Sequence, residues 1–315
     1  RREIAAADVA CVHAPEGTWQ KWVRYEAALT AQEDVRGAQF TISLTEPGTV
    51  EFDFISLMPA DAVEGVFRKD LFELLKGLKP GFLRFPGGCI IENRYRWKES
   101  VGRPEHRRSN FNRWAVHETN PENGFHTCYS HYNQTLGLGY YEYFLLCEKI
   151  GAKPLPVLSV GLACQFQSYE LVEMDDPAFQ EFIQDALDLV EFANGAADTK
   201  WGALRAEMGH PEPFGLTMLG IGNEQWQTEK VDFFARYQAF EQAIHAKYPD
   251  IRLIGSAGPD ITSERYEMAW KFYHENAPKK ENFVYAVDEH YYVKPEWFYD
   301  HTDFYDEYPR DVKVF

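Results

Sequence analysis

Apolar residues recur along the chain with two different periods, and the change falls near residue 60. Before it, three short runs rich in aromatic and β-branched residues predict strands, at Trp22 to Thr30, Ala38 to Leu44 and Thr49 to Leu57. Three or four strands are too few to close a β-sandwich, which commonly has seven or more. We therefore interpret residues 1–60 as part of such a module.

From about residue 61 the pattern alternates between helix and strand. The helical spacing of Phe67, Leu71, Leu74, Leu75 and Leu78 predicts an amphipathic helix over residues 66–78. Further helices are predicted over residues 140–150, 176–194, 232–247 and 262–275, and strands over residues 82–85, 154–159, 217–221, 251–256, 283–287 and 312–315. Repeated βα units indicate a parallel sheet with helical crossovers.

An open doubly wound sheet and a closed barrel both fit this alternation. No GxGxxG or GxxxxGK[ST] motif follows any predicted strand, which argues against a nucleotide-binding fold. Polar residues cluster at the carboxyl ends of the predicted strands: Arg84, Ser159, Asn223, Glu224, Ser256 and Asp288 to His290. In a barrel those ends converge on one face. The prediction is an α/β fold, with an apparently incomplete (β/α)8 TIM barrel over residues 61–315 preceded by part of a β-sandwich or jelly roll.

Charge and composition limit the kinds of molecule that this protein is expected to bind. The formal net charge of −17 would repel a polyanion, so no nucleic-acid partner is expected, and no apolar run is long enough to suggest a membrane span. Five cysteines without a CxxC pair predict neither a disulfide framework nor a zinc site, and the histidines form no HExxH motif. The aromatic content of 16% fits a large aromatic core or rings that line a sugar-binding cleft.

The segment Gly220 to Trp226 carries the most informative chemistry. It places Glu224 at the end of an apolar strand and next to a tryptophan, where partial loss of water raises the pKa of a carboxyl group. A general acid requires such a raised pKa. Asn223 can hydrogen-bond a sugar hydroxyl next to the reacting carbon. An exposed loop glutamate is the alternative, but the position on the strand and the glycine-rich approach favour catalysis.

Four stretches make the chain recognisable. They are Leu83-Arg84-Phe85-Pro86-Gly87-Gly88-Cys89, Ile221-Gly222-Asn223-Glu224, Ile254-Gly255-Ser256-Ala257-Gly258-Pro259, and Asp288-Glu289-His290-Tyr291-Tyr292 with Lys294-Pro295-Glu296-Trp297-Phe298. From about residue 50 onward the chain resembles the α-L-arabinofuranosidases of glycoside hydrolase family 51, which are retaining barrel glycosidases. The resemblance identifies it with barrel strands two to six and the start of strand seven, after a module like a carbohydrate-binding jelly roll.

The resemblance implies a role for individual residues. Glu224, at the end of the fourth barrel strand, matches the general acid/base, and Asn223 matches the residue that binds the arabinose 2-hydroxyl. Arg84 matches the arginine that holds the nucleophile ionised, and Cys89 falls in the loop that touches the sugar. His290 and Tyr292 match residues that flank the nucleophile, and their spacing of two puts both side chains on one strand face. These six are the candidate site residues.

A retaining mechanism needs a second carboxyl roughly 5–5.5 Å from the first. In the family, this nucleophile is a Glu a few residues past a Val-Phe segment, so we expect it just beyond Phe315 and expect the chain alone to be inactive. Glu289 is the obvious internal alternative, but strand alternation turns it away from His290 and Tyr292. Glu92, Glu142, Asp260 and Asp288 are further internal carboxylates.

Three functions remain open. The first is release of terminal α-L-arabinofuranosyl residues from arabinose-containing polysaccharides or oligosaccharides by a glycosidase without a metal or other cofactor. The second is a non-catalytic carbohydrate-binding barrel, and the third is another retaining barrel glycosidase of xylanase or endo-glucanase type. The expected partner is an arabinose-containing glycan. The resemblance also allows a homo-oligomer, because members of the family often assemble.

Overall fold

The computed structural model describes residues 2–11, 22–92, 95–107, 111–112 and 133–315. The chain divides into two compact units, Arg1–Arg68 and Lys69–Phe315. The second unit contains the helices, the main sheet and every candidate site residue. None of the helices in the described ranges is both long enough and apolar enough to cross a membrane.

Helices and strands alternate through the second unit as the sequence predicts. The strands of its main sheet are β1 (Phe82–Phe85), β2 (Lys153–Leu158), β3 (Met218–Ile221), β4 (Arg252–Ser256), β5 (Ala286–Asp288) and β6 (Lys313–Val314). The helices are α1 (Lys69–Gly77), α2 (Tyr140–Ile150), α3 (Pro177–Asn194), α4 (Lys200–Glu207), α5 (Phe233–Lys247), α6 (Glu264–Asn276) and α7 (Pro295–Asp300). Each strand and helix predicted after residue 61 has a counterpart here, with ends shifted by a few residues.

Local sequence signals explain where helices begin. The Asp176 side chain accepts a hydrogen bond from the Ala178 amide, and Pro177 occupies the first turn of α3, where its missing N–H group costs no hydrogen bond. Two short helices, α4 and α7, were not predicted. In α4 only Gly202 and Arg205 are buried, and its eight residues contain just two large apolar side chains, Trp201 and Leu204, too few for a recognisable helical period.

The order of the strands distinguishes a barrel from a doubly wound sheet. All six are parallel and pair in chain order, β1 to β6, without the reversal that defines a doubly wound fold. In a flat sheet, five spacings of about 4.8 Å would separate the outer strands by about 24 Å. Yet the rings of Phe82, in β1, and Phe315, just after β6, stack with centroids 4.9 Å apart. The sheet therefore curves as the wall of a barrel does.

Alternating side chains build two apolar clusters on opposite faces of this sheet. Phe85, Leu219, Leu253 and Val287 pack into the large cluster that includes the helices. A smaller cluster contains the intervening positions Leu155, Met218, Ile254 and Ala286, with Phe315 packed against it. Neighbouring residues of a strand point to opposite faces, and the large cluster packs against the helices on the outer face. The small cluster therefore fills the concave side. Polar residues follow on that side toward the carboxyl ends, where the site forms.

The first unit differs from its prediction. The structure does not show a β-sandwich there: residues 22–57 contain no strand, and side chains such as Phe40 and Leu44 are half-exposed. Apolar alternation becomes a strand only when a neighbouring strand satisfies the backbone N–H and C=O groups. In the described part of the first unit, the Gln32 amide donates a backbone hydrogen bond to the Ile4 carbonyl. This bond does not belong to a ladder of hydrogen bonds between paired strands.

Candidate active site

The loop after β3 holds Glu224 in an unusual backbone conformation. Gly222 has φ of +80°, and a Cβ there would lie 2.5 Å from Oε1 of Gln225 and 3.0 Å from the Phe233 ring. Only glycine fits this turn. Two residues later Glu224 itself has φ of +55°, in the left-handed region that side chains other than glycine's rarely adopt. Such strain collects at functional sites.

Two side chains from the segment after β5 contact the Glu224 carboxyl group. His290 Nδ1 lies 2.6 Å from Glu224 Oε1, and the Tyr292 hydroxyl donates to the same oxygen at 3.1 Å. The Glu224 side chain is 11% exposed, so it is largely withdrawn from water and still reaches the surface of the cleft. The strand ends at Asp288, so His290 and Tyr292 lie beyond it, but both face the site as their spacing predicts.

Arg84 connects the ends of three strands. Its Nε and Nη2 atoms donate to Asp288 Oδ2 at 3.0 and 2.7 Å, and Nη2 also donates to Asn223 Oδ1 at 2.7 Å. His290 Nε2 lies 3.3 Å from the same Asp288 oxygen. A continuous chain of contacts therefore runs from Asn223 through Arg84, Asp288 and His290 to Glu224.

The charges in this series of contacts favour the ionised forms of His290 and Asp288. Burial alone would lower the pKa of His290, but its hydrogen bonds to Asp288 and Glu224 and their negative charges raise the pKa to about 9. Burial would raise the pKa of Asp288, but the hydrogen bond from His290 and the charge of Arg84 lower it further than burial raises it. At neutral pH His290 is thus an imidazolium, which can donate from Nε2 to Asp288 and from Nδ1 to Glu224.

This assignment predicts a pH-dependent stability. A histidine whose pKa rises on folding from 6.5 to about 9 stabilises the protein fully below pH 6.5, and the benefit is lost as the pH rises through 9. The maximum contribution is about 3 kcal/mol. In urea unfolding between pH 6 and 9.5, His290→Gln should remove this part of the pH dependence. The matched variant His301→Gln, at an exposed histidine, should retain it; equal slopes in wild type and His290→Gln would refute the assignment.

A cleft of about 390 Å³ opens beside Glu224. Its lining residues are Phe166, Glu224, Pro259, Asp260, Thr262 and Tyr292. Trp226 supports its wall: Gln165 exchanges two hydrogen bonds with the Trp226 backbone, at 2.9 and 3.0 Å, and the Arg265 guanidinium lies 4.1 Å from the indole ring. The arrangement places the Glu224 carboxyl group beside a ligand that would lie against the aromatic side chains of Phe166 and Tyr292.

Five of the six predicted site residues lie together in the structure. The position of the sixth side chain, that of Cys89, is not tested. Arg84, Asn223, Glu224, His290 and Tyr292 share one hydrogen-bonded network, although the role assigned to each stays a prediction. Cys89 begins a short 3-10 helix, Cys89–Ile91, and its side chain lies outside the described part of the structure. Among described residues no cluster of His, Cys, Asp or Glu could hold a metal ion.

The carboxylates considered as internal alternatives to the nucleophile lie in different parts of the structure. Glu289 points to the helix side of the sheet, where it accepts hydrogen bonds from Trp270 at 2.7 Å and Tyr291 at 2.6 Å, as strand alternation predicts. Glu142, in α2, forms a buried ion pair with Arg107. Asp288 and Glu92, by contrast, contact site residues directly. Sequence reasoning considered both only as internal replacements for the nucleophile and did not predict these contacts; for Asp288 the signal was its position two residues before His290, on the same strand face.

Comparison with protein families gives one match that spans most of the second unit. The model described as the alpha-L-arabinofuranosidase 1 domain matches residues 74–310. That range includes all six candidate site residues.

Two individual relatives extend this similarity. An extracellular exo-α-L-arabinofuranosidase of Streptomyces chartreusis is 39% identical over 314 residues, covering 93% of this chain and 35% of its own length. α-L-arabinofuranosidase 1 of Arabidopsis thaliana is 36% identical over 258 residues, covering 78% of this chain and 35% of its own length. The chain thus spans about a third of the length of these curated relatives.

Solved structures share the fold. An arabinose-bound GH51 α-L-arabinofuranosidase superposes with a TM-score of 0.58 at 28% identity, covering 79% of this chain and 35% of that one. The arabinose complex of the Thermotoga maritima α-L-arabinofuranosidase has a TM-score of 0.55 at 23% identity, covering 78% of this chain and 43% of that one. The second likeness concerns the fold alone.

Proposed function

The chain belongs to the α-L-arabinofuranosidase 1 domain family, and from this premise we propose that it forms the catalytic core of a retaining exo-acting α-L-arabinofuranosidase. Its substrates would be arabinose-containing polysaccharides or oligosaccharides, cleaved at terminal non-reducing residues. The observation that carries the proposal is the position of Glu224, held by His290 and Tyr292 at the carboxyl end of β3 with Asn223 beside it.

In the proposed reaction Glu224 first acts as a general acid. It protonates the glycosidic oxygen as the leaving group departs and a second carboxylate attacks the anomeric carbon, forming a covalent glycosyl-enzyme. Glu224 then takes a proton from the water that attacks this intermediate, which releases arabinose with the original configuration. The nucleophile remains the sequence prediction of a Glu following Phe315.

The surrounding residues would assist both steps. The imidazolium of His290 and the hydroxyl of Tyr292 both contact Glu224 Oε1, which fixes the orientation of the carboxyl group and stabilises its anionic form after proton transfer. Asn223 would donate to the sugar hydroxyl next to the reacting carbon, and the cleft walls at Phe166 and Tyr292 would contact the rest of the glycan.

For the first unit we retain a separate proposal. The half-exposed side chains of Phe40, Ile42 and Leu44 alternate with smaller or polar residues, which supports the interpretation that residues 1–60 contribute strands to a carbohydrate-binding-like β-sandwich. These strands would form only with neighbouring strands to pair with.

A panel of aryl glycosides tests the function. The full-length product of the gene that carries this chain should hydrolyse an aryl α-L-arabinofuranoside at least ~100-fold faster than the aryl β-D-xyloside or β-D-glucoside, because the site's hydrogen bonds would match one sugar. Faster cleavage of a xyloside, glucoside or internal polysaccharide bonds would favour the xylanase or endo-glucanase alternative. Arabinose binding by calorimetry without any turnover would instead favour a carbohydrate-binding protein.

A further inference from the structure

Glu92 is a buried carboxylate that contacts a candidate site residue, and in the sequence it is only one of the internal carboxylates that could replace the nucleophile. It lies just after the short 3-10 helix Cys89–Ile91 and is 2% exposed. Its Oε1 atom accepts a hydrogen bond from Asn223 Nδ2 at 2.5 Å. The contact joins residues that are 131 positions apart in the chain.

Asn223 is held at both ends of its amide group. Nδ2 donates to Glu92, and Oδ1 accepts from Arg84 Nη2 at 2.7 Å. An amide can rotate by half a turn, which exchanges its donor and acceptor ends. Here the reversed orientation would point N–H groups at a guanidinium and an oxygen at a carboxylate. A cation on one side and an anion on the other therefore select a single orientation.

The same geometry determines what the amide can offer a ligand. An amide nitrogen carries two hydrogens, and Glu92 accepts one of them. The other belongs to the same fixed amide, which directly precedes Glu224 in the chain and is fully buried in the structure, so a sugar hydroxyl must enter the wall beside Glu224 to reach it. Burying a carboxylate is costly unless hydrogen bonds compensate, so a side chain that only filled space would be better apolar.

We propose that Glu92 is a positioning residue that fixes the Asn223 amide so that it donates to the hydroxyl next to the reacting carbon of an arabinofuranoside. The proposal rests on the proposed function. Ser159 contributes to the placement of Glu92, since its hydroxyl donates to the Glu92 backbone carbonyl at 3.4 Å from the end of β2. Glu92 acts through Asn223 and contacts neither the leaving group nor the reacting carbon.

The test compares two variants on two substrates in the full-length gene product. With an aryl α-L-arabinofuranoside, Glu92→Leu should lower kcat/KM by about 10- to 100-fold, the effect of losing a hydrogen bond to a charged group. Glu92→Gln should remain within about fivefold of wild type, because its amide oxygen can accept the same hydrogen bond. With the corresponding 2-deoxy substrate, which lacks the hydroxyl in question, Glu92→Leu and wild type should differ by less than about threefold.

Two controls separate positioning from folding. Glu92→Leu should add little to the loss caused by Asn223→Ala, because both changes remove the same interaction. Glu241→Gln, at a buried glutamate that pairs with Lys280 away from the site, should affect both substrates little. Thermal unfolding verifies that each variant is folded.

Other results would overturn the proposal in recognisable ways. Equal losses on both substrates would mean a merely structural role, and unchanged kinetics in Glu92→Leu would mean no role. Loss of all turnover in Glu92→Gln would make Glu92 a reacting carboxylate. A wild-type protein without activity on the arabinofuranoside would overturn the proposed function itself, and this assignment with it.

Discussion

In the full-length gene product, replacing Glu224 by alanine should lower kcat for an arabinofuranoside with a poor leaving group by about 10²- to 10⁴-fold, because general acid/base catalysis contributes that much. Leaving groups that depart without a proton, such as dinitrophenolate, should lose less in the first step. Their reaction then slows at hydrolysis of the glycosyl-enzyme, for which Glu224 would activate water.

Azide tests this assignment directly. A small anionic nucleophile needs no general base, so it should restore turnover in Glu224→Ala and yield the arabinofuranosyl azide with the original anomeric configuration. Glu229→Gln, at an exposed glutamate in the same loop, is the matched control and should behave as wild type. An inverted azide product, or full activity in Glu224→Ala, would contradict the role given to Glu224.

The second large effect is expected at Arg84. Its guanidinium binds Asp288 and Asn223 together, and the Arg84 and Asp288 side chains are 22% and 16% exposed. Arg84→Met should cost about 3 kcal/mol in the free energy of unfolding, because it leaves Asp288 largely buried with less compensating charge. In the full-length gene product it should also lower kcat/KM by about 100-fold, since Asn223 loses one of the two contacts that orient it.

Because the Arg84 guanidinium donates to two partners in one plane, a lysine at this position provides an intermediate variant for comparison. Arg84→Lys keeps the positive charge but cannot donate in the same planar geometry to two partners, so its losses should be intermediate. Arg252→Met removes an arginine from the opposite end of a strand, where it stacks over Tyr285, and should leave kcat/KM near wild type. Urea unfolding and steady-state kinetics measure both effects; a fully stable and active Arg84→Met would refute the coupling.

Glu289 illustrates what a strand pattern can and cannot predict. The period of two placed Glu289 opposite to His290, and the structure confirms it, with the Glu289 carboxylate bound by Trp270 and Tyr291 on the helix side. The same period placed Asp288 on the site face, but could not identify Arg84 as its partner. Those two residues are 204 positions apart, and only the assembled sheet brings them within 2.7 Å.

In the first unit, by contrast, the strand pattern does not predict the structure. Its apolar alternation predicts strands as clearly as the later pattern does, but residues 22–57 contain none in the structure. A helix satisfies its backbone hydrogen bonds within one segment, so periodicity nearly suffices to predict it. A strand depends on a neighbour, and where no neighbour pairs with it the same pattern leaves a segment without regular structure whose apolar side chains are exposed.

The sequence by itself determined the βα alternation of the second unit, the face on which each strand residue lies and the segment that carries Glu224. These follow from local periodicity and from motifs within a few residues. Only the tertiary structure decided that the sheet curves until Phe82 meets Phe315, that Arg84 pairs with Asp288, and that Glu92 reaches Asn223. Such contacts depend on strand order and curvature, which arise from packing of the whole unit and leave no periodic signal in the chain.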